Sequence, residues 1–298
     1  MIPPEHLQTW NCPVCDQKEH QPVYNIRGFT IVRCTFCSML YVNPRLKDDD
    51  LYNIYRRDYF IRKNYSFKDY GYGNYDLTGS LRDKTFLRWY SEAEPYLPVR
   101  RGNALDIGCA TGRFLNILLQ KGWNVKGIEL DEGMCSELRS KNFDVTGRPV
   151  EFFETTEKFD LITLFDVVEH IPRLNQSMAK IAEMLSVGGS ALIVTPNVSS
   201  LQRKIFGRRW FQFKPREHIS YFSPETIRLL ADRNGFKIVF LTTSCGQYAD
   251  LSFIHHRLQR YGFNAIALLL KKILHLPGLK NLSWYIPTGS MMVILQKK

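Results

Sequence analysis

The sequence predicts an α/β protein in which helices cover both faces of a parallel sheet. A small cysteine-rich lobe precedes the sheet, and a helical insertion precedes its last strand. Two observations lead to this prediction: apolar strand patterns alternate with helical patterns after residue 100, and four cysteines near the N-terminus form two close pairs. Alternating strands and helices build parallel sheets that bind ligands at the carboxyl ends of the strands. We expect a metal-binding lobe at 1–43, an aromatic-rich linker or lid at 44–98, and the sheet domain at 99–298, with the insertion at 251–288.

The cysteine-rich lobe comes first. Cys12 and Cys15 form one Cys-x2-Cys pair, and Cys34 and Cys37 form the second. Two such pairs about 15–20 residues apart have the ligand spacing of a tetrahedral four-cysteine zinc site, which leaves no position open for a substrate. We therefore predict a structural zinc ion. Iron fits the same four thiolates, whereas two unliganded pairs would leave the lobe with little to hold it together. The segment between the pairs predicts a hairpin around Arg27.

The linker between Pro44 and Asp76 is the second element. Its aromatic residues are Tyr52, Tyr55, Tyr59, Phe60, Tyr65, Phe67, Tyr70, Tyr72 and Tyr75. Disordered linkers are poor in aromatic residues, so we expect an ordered segment. These rings can orient a bound molecule, and they can equally pack the lobe onto the sheet. No single tyrosine is assigned a catalytic role.

The third element is a strand followed by a turn of small residues. The strand pattern carries Asp106 near its end, and Gly108, Ala110 and Gly112 follow two positions apart before a helical pattern. Small residues allow the backbone to approach a ligand closely. The spacing differs from the G-x-G-x-x-G of hydride-transferring dinucleotide folds.

The following strands continue the alternating pattern. The second strand ends in Glu129, about 20 residues beyond the turn, where a Rossmann-like fold holds ribose hydroxyls with a carboxylate. The further strand patterns are Phe159–Asp166 and Ser190–Asn197, and the helical patterns among them are Arg113–Lys121 and Asn175–Leu185. We expect the ligand site where the first two strands end.

These runs, in this order, resemble class I S-adenosylmethionine-dependent methyltransferases, whose first motif is usually written D-x-G-x-G-x-G. The resemblance rests on DIGCATG, GIELD, FDLITLFDVVEHI, LSVGG, IVTPN and HISYFSPETIRLLADRNGF, and spans roughly Ala104 to Phe240. Ala110 stands where the family has its middle glycine. Known members act largely on small molecules, quinone precursors and cell-surface sugars.

The resemblance implies bound S-adenosylmethionine. The cofactor-binding residues it implies are Asp106, Gly108, Cys109, Ala110, Gly112, Glu129, Leu130, Glu151 and Asp166. The turn and Asp106 would receive the methionyl part, and Glu129 the ribose. Adenine would lie near Leu130 and Glu151, although the family's acidic residue aligns one position away from Glu151.

Methyl transfer to a hydroxyl calls for a base, and histidine titrates near neutral pH. His218 is the first candidate, because it lies between a basic, aromatic segment and a helix start at Ser223. His170 is the second, and a structural role in a cap or a cofactor loop is the alternative for it. Proximity alone, or a tyrosine of the linker, would replace a histidine base.

The net charge of +11 is unevenly distributed, since the chain has no acidic residue after Asp250. A second basic cluster, 203–216, is interleaved with aromatic residues. Such fields attract anions, including an anionic or lipid-linked acceptor, or they are ordinary solvated surface. In segment 251–276, Ile266, Leu269 and Leu270 share one helical face, which predicts core, a dimer interface or contact with an anionic membrane.

Composition and chemistry together favour one function. No signal-type segment and no apolar run of about 20 residues is present, and the cysteine usage is typical of a reducing compartment, so we expect a cytoplasmic protein. The predicted activity is O-methylation of a small molecule or of a sugar in surface-glycan or natural-product biosynthesis. A nucleic-acid methyltransferase is the first alternative, disfavoured because Phe165-Asp166-Val167-Val168 replaces an Asn-Pro-Pro-Tyr motif. A cofactor-binding zinc scaffold without turnover is the second.

Overall fold

The computed structural model describes residues 3–56, 79–273 and 282–298. The N-terminal part contains strands β1 (Leu7–Gln8), β2 (His20–Ile26), β3 (Phe29–Cys34), β4 (Leu40–Val42) and β5 (Arg45–Leu46), followed by helix α1 (Asp48–Arg56). β2 and β3 form the expected hairpin, because Ile26 pairs with Phe29 and both turn residues have positive φ. Of the linker aromatics, those from Tyr59 to Tyr75 lie outside the described residues.

The larger part alternates helices and strands as the sequence predicts. Its elements are α2 (Gly79–Ala93), β6 (Asn103–Ile107), α3 (Arg113–Gln120), β7 (Asn124–Ile128), α4 (Glu132–Ser140), β8 (Asp144–Thr146), β9 (Phe159–Phe165), α5 (Leu174–Met184), β10 (Leu185–Pro196), α6 (Leu201–Phe206), β11 (Ser220–Tyr221), α7 (Pro224–Arg233), β12 (Phe236–Asp250), α8 (Leu251–Arg260), α9 (Asn264–Ile273) and β13 (Ser283–Lys297). A short 3-10 helix, Val168–His170, follows β9.

Seven strands form one sheet in the order β12-β13-β10-β9-β6-β7-β8. The five strands from β10 to β8 run parallel, and β13 is antiparallel to both of its neighbours. Apolar clusters pack on both faces, one around Leu105 and Ile162 and the other around Leu161 and Leu192. The expected α/β fold, a parallel sheet covered by helices on both faces, is confirmed.

The last two strands extend beyond the apolar runs that mark them in the sequence. β12 and β13 stay paired as far as Asp250 with Ser283. Residues 283–288, expected in the helical insertion, are therefore strand, and the described insertion consists of α8 and α9. The extension includes Gly246 and Pro287, which weaken a strand pattern, so strand pairing rather than an apolar run defines it.

The insertion lies against the sheet domain through only part of its surface. On α9, Ala267 is fully buried, whereas Ile266 and Leu269 of the expected apolar face are more than half exposed. Among the described residues, no helix combines the length and apolarity that crossing a bilayer requires.

A second sheet joins the N-terminal lobe to the larger part. Its strand order is β11-β4-β3-β2, so β11 comes from the sheet domain and the other three strands from the lobe. Trp210 and Phe213 of the basic, aromatic cluster are buried in the apolar core of this second sheet. The aromatic residues at these two positions are therefore explained by packing.

Candidate active site

The turn after β6 is shaped by three residues with positive φ. Gly108, Ala110 and Gly112 have φ values of 76°, 48° and 73°. A Cβ on Gly108 would lie 2.5 Å from Cγ2 of Val167, so this position requires glycine. Gly112 is the N-cap of α3. Ala110 occupies the position where the motif usually has glycine. Its left-handed backbone conformation is unfavourable for an L-residue with a Cβ atom.

Glu129 follows β7 and closes the turn from the other side. Its Oε2 accepts a hydrogen bond from the Ala110 amide at 2.8 Å, and its Oε1 accepts one from the Asp131 amide at 2.9 Å. Burial raises the pKa of this carboxyl, and the backbone amides of Asp131 and Ala110 oppose that rise. The carboxylate is held rigidly, and each oxygen keeps lone pairs for a further donor.

Asp106 is buried beside the turn. The Thr163 hydroxyl donates to its Oδ1 at 2.6 Å. Burial raises the pKa of Asp106 to about 7, against the opposing effect of the Thr163 hydrogen bond. This carboxyl therefore titrates close to neutral pH.

A cavity of about 1050 Å³ opens above these two strand ends. The predicted residues that line it are Asp106, Gly108, Cys109, Ala110, Glu129, Leu130, Glu151, Asp166 and His170. Gly112 and His218 are not among the lining residues. The structure therefore brings most of the predicted site residues to one cavity, and places His218 behind its wall.

Glu151 lies at the edge of the cavity with its carboxylate already engaged. The Tyr52 hydroxyl of α1 donates to its Oε1, and the Ser177 hydroxyl donates to its Oε2 at 3.1 Å. The linker thus contacts the side of the cavity where the sequence places adenine.

His170 also lines the cavity. Its Nδ1 is 3.0 Å from the Glu217 carbonyl and 2.7 Å from the Tyr55 hydroxyl of α1. The carbonyl is only an acceptor, so Nδ1 carries the proton and Nε2 keeps a lone pair. Burial, followed by the charge of Lys214, lowers the pKa of His170 to about 3.

His218 and Glu169 lie directly behind His170. The rings of His170 and His218 are edge to face, with centroids 4.6 Å apart. Burial also lowers the pKa of His218, so both imidazoles are neutral. The Thr195 hydroxyl donates to Oε2 of Glu169 at 3.0 Å, and burial raises the pKa of that carboxyl.

Two groups of side chains have the chemistry and spacing of metal ligands. The sulfurs of Cys12, Cys15, Cys34 and Cys37 lie within 4.8 Å of one another, with the closest pairs 3.5 Å apart. A tetrahedral ion with bonds of about 2.3 Å to sulfur separates its ligands by about 3.8 Å, so the four thiolates fit zinc or iron.

The second group is Glu169, His170 and His218, which each offer one ligand atom within the same limit of 4.8 Å. Glu169 Oε1 and His218 Nδ1 are buried without a hydrogen-bond partner in the described part of the chain. Two neutral imidazoles and a carboxylate can hold a divalent cation.

Further residues line the cavity, and they include Arg82 of α2, Lys214, Tyr248 and, from α8, His256 and Arg257. Of these, the sequence indicated only Lys214, as part of the basic cluster 203–216. The Arg257 guanidinium lies 3.4 Å from the ring centroid of Phe211. The one signal in the sequence for the role of α8 is the basic charge that it shares with cluster 203–216. His255 of α8 is buried.

The order of the sheet and the turn facing Glu129 define a class I S-adenosylmethionine-dependent methyltransferase fold. Residues 79–241 match the model of the methyltransferase domain family, and the chain belongs to this family. A methyltransferase from Archaeoglobus fulgidus, described as S-adenosylmethionine-dependent, has the same fold, with a TM-score of 0.51 and 20% identity over 74% of this chain and 98% of its own.

Two curated relatives carry the same description at low identity. The human mitochondrial ubiquinone biosynthesis O-methyltransferase is 28% identical over 175 residues, which cover 53% of this chain and 47% of that protein. The Coxiella burnetii ubiquinone biosynthesis O-methyltransferase is 21% identical over 50% of this chain and 69% of its own. The chain thus spans about half the length of the human relative.

Proposed function

We propose that this protein transfers a methyl group from S-adenosylmethionine to a hydroxyl group of a small molecule. The observation that carries the proposal is a single cavity that the Gly108 turn, Glu129 and His170 line together. The relatives named as O-methyltransferases support oxygen as the acceptor atom.

The cofactor side uses groups that the backbone already holds in place. Glu129 would accept hydrogen bonds from the ribose diol, and Asp106 would face the ammonium of the methionyl part. The turn at Gly108 lets the backbone approach closely, and Glu151 with Leu130 would border adenine. S-adenosylmethionine supplies an electrophilic methyl group on a sulfonium.

The acceptor oxygen must reach the methyl carbon in line with the carbon–sulfur bond. As the new carbon–oxygen bond forms and the carbon–sulfur bond breaks, the hydroxyl proton leaves, and Nε2 of His170 would take it. His218 lies behind the wall and would act on the ring of His170. The low pKa of His170 makes it a weak base, so a cation held by Glu169, His170 and His218 is the alternative means of removing the proton.

The four cysteines would hold one structural zinc ion, because four thiolates complete its coordination. Helix α1 of the linker then contributes to the wall of the site, as the contacts of Tyr52 and Tyr55 indicate. These contacts support a lid role for the linker.

The test combines binding and label transfer. Calorimetry with S-adenosylmethionine should show binding, and radiolabelled methyl groups should reach 3,4-dihydroxybenzoate or catechol in an acceptor panel. The panel includes a nucleotide sugar and total RNA. Transfer to either of these alone would replace the proposed acceptor class, whereas binding without any transfer would indicate a scaffold. Absence of S-adenosylmethionine binding would refute the function.

A chelator arm separates the two means of activating the hydroxyl. A histidine base tolerates removal of loosely bound divalent ions with EDTA. A cation at Glu169, His170 and His218 requires that activity falls with EDTA while metal analysis still finds the ion of the four cysteines, and that activity returns when a divalent cation is added.

A further inference from the structure

The cysteine lobe reaches the acceptor side of the cavity through a shared sheet. Strand β4 of the lobe pairs with β11, with Tyr41 opposite Ser220 and Leu40 opposite Tyr221. The Val42 amide donates to the Ile219 carbonyl at 2.9 Å. β11 begins two residues after His218, so the strand that follows His218 is held by the lobe.

The same backbone run also fixes the second histidine. The Ile219 amide donates to the Glu169 carbonyl at 3.0 Å, and the Glu217 carbonyl accepts from His170. The segment 217–221 therefore lies between β4 on one side and the Val168–His170 turn on the other. A shift of β4 moves the backbone supports of both histidines.

The four cysteines determine where β4 lies. The Cys34 amide donates to the Met39 carbonyl at 2.9 Å, so the second cysteine pair directly precedes the strand. Cys12, Cys34, Met39 and Tyr41 are buried in one apolar cluster that also contains Phe222, the residue after β11. The ligand cluster thus shares a packed interior with the residue that follows β11.

Helix α1 connects the lobe to the same place from a second direction. Asp48 is the first residue of α1. Its carboxylate accepts hydrogen bonds from Arg45 at 3.0 Å and from Arg173 at 2.8 Å. This anchors α1 against the segment after His170, where Tyr55 meets the ring of His170. On the cofactor side, Glu129 is held by Ala110 and Asp131, both outside the lobe. Tyr52 of α1 reaches that side through its hydrogen bond to Glu151.

We propose that the cysteine lobe is the positioning element for His170 and His218, so that the metal it holds controls transfer to the acceptor far more than binding of S-adenosylmethionine. The proposal rests on the proposed function and on a metal at the four cysteines. The lobe's β4 acts through the backbone of 217–221, and Tyr55 of α1 is a second positioning residue.

Amide hydrogen exchange on the full chain tests this without knowledge of the acceptor. Cys34→Ser is compared with Phe36→Ser, which changes an exposed side chain in the same turn and keeps all four thiolates. In Cys34→Ser we expect loss of zinc and faster exchange at Val42 and Ile219, with protection retained at Gly108 and Glu129. Metal binding in such lobes is coupled to their folding, so loss of the metal should increase exchange. Because Phe36→Ser keeps the four thiolates, it should behave like the wild type.

Binding and turnover supply the second readout. S-adenosylmethionine affinity in Cys34→Ser should fall by less than about tenfold, the effect of one lost hydrogen bond at Glu151. Transfer to the acceptor found in the panel should fall by about 10²-fold, since small misplacements of reacting groups have that effect. Wild-type protein stripped with a chelator and then reloaded with Zn²⁺ should lose and regain both protection at Ile219 and turnover.

Three outcomes would overturn the proposal. Equal loss of protection at Gly108 and Ile219 would mean that the metal supports the whole fold. Unchanged exchange at Ile219 in metal-free protein would separate the lobe from the histidines. Protein purified without chelator that contains neither zinc nor iron would remove its premise. Failure of the methyltransferase function is distinct, because it shows as absence of S-adenosylmethionine binding in the wild type.

Discussion

The two sides of the cavity are built in different ways. The centre of the cofactor side comes from one stretch of chain, the turn after β6 and the carboxylate after β7, and neighbouring backbone amides fix Glu129 there. The acceptor side gathers residues from α1, the Val168–His170 turn, the loop around Lys214 and helix α8. Its groups are held by contacts between segments distant in sequence.

The charges follow the same division. The cofactor side presents the buried carboxyls of Asp106 and Glu129, which suit the ammonium and the diol of S-adenosylmethionine. The acceptor side presents Lys214, Arg257 and the neutral imidazole of His170. One side thus recognises a constant cofactor through local backbone geometry, whereas the other depends on tertiary packing for its specificity.

The largest expected effect lies on the acceptor side. His170→Ala should lower turnover by about 10²–10⁴-fold and leave S-adenosylmethionine affinity unchanged, since a group that acts only on the acceptor proton contributes to the transition state alone. His218→Ala should lower turnover through the ring of His170. Steady-state rates and calorimetry measure the two effects, with the exposed His6→Ala as control. Full turnover in both variants would exclude histidine chemistry and leave proximity or a linker tyrosine.

Glu129→Ala tests the cofactor side with the next largest effect. Loss of charge-assisted hydrogen bonds to the ribose should weaken S-adenosylmethionine binding by about 1.5–3 kcal/mol. The neighbouring, exposed Glu132→Ala is the matched control for charge. Equal affinities in calorimetry would remove Glu129 from the binding site.

The pH dependence of binding separates Asp106 from Glu129. An acid whose pKa is raised to about 7 is mostly neutral below that pH and becomes charged above it. Affinity for the cationic cofactor should therefore rise as pH increases through 7, by up to about tenfold for each unit of pH below it. Calorimetry between pH 5.5 and 8.5 measures this slope. Asp106→Asn should abolish it, and a slope that persists in the variant would assign it to another group.

The same division decides how much of the molecule the sequence could predict. Some features are encoded by residues close together in the chain. These are the strands of the sheet, the Gly108 turn, the position of Glu129 and the spacing of the cysteines. The sheet and the fold class were correctly predicted. Three other features arise from long-range packing. They are the pairing of β4 with β11, the contact of Arg257 of α8 with Phe211, and the contact of Tyr55 with His170. Periodicity and motif spacing carry no signal for such contacts. The extension of β13 to Ser283 was missed for the same reason.

The smallest expected effect is at Ala110, where the chain departs from its family's middle glycine. Ala110→Gly relieves a left-handed alanine, a gain of about 1–2 kcal/mol. Glycine also increases the conformational entropy of the unfolded chain, which lowers the free energy of unfolding by about 0.4–1 kcal/mol. Removal of one buried methyl group lowers it by about 0.8 kcal/mol. These contributions nearly cancel, so urea unfolding should show a change within about 1 kcal/mol. Because the amide that donates to Glu129 is kept, S-adenosylmethionine affinity should also be unchanged.

Gly108→Ala is the contrasting variant, since its Cβ would meet Val167 at 2.5 Å, and it should lose both stability and affinity. If Ala110→Gly altered affinity as strongly as Gly108→Ala, the methyl group of Ala110 would itself contact the cofactor.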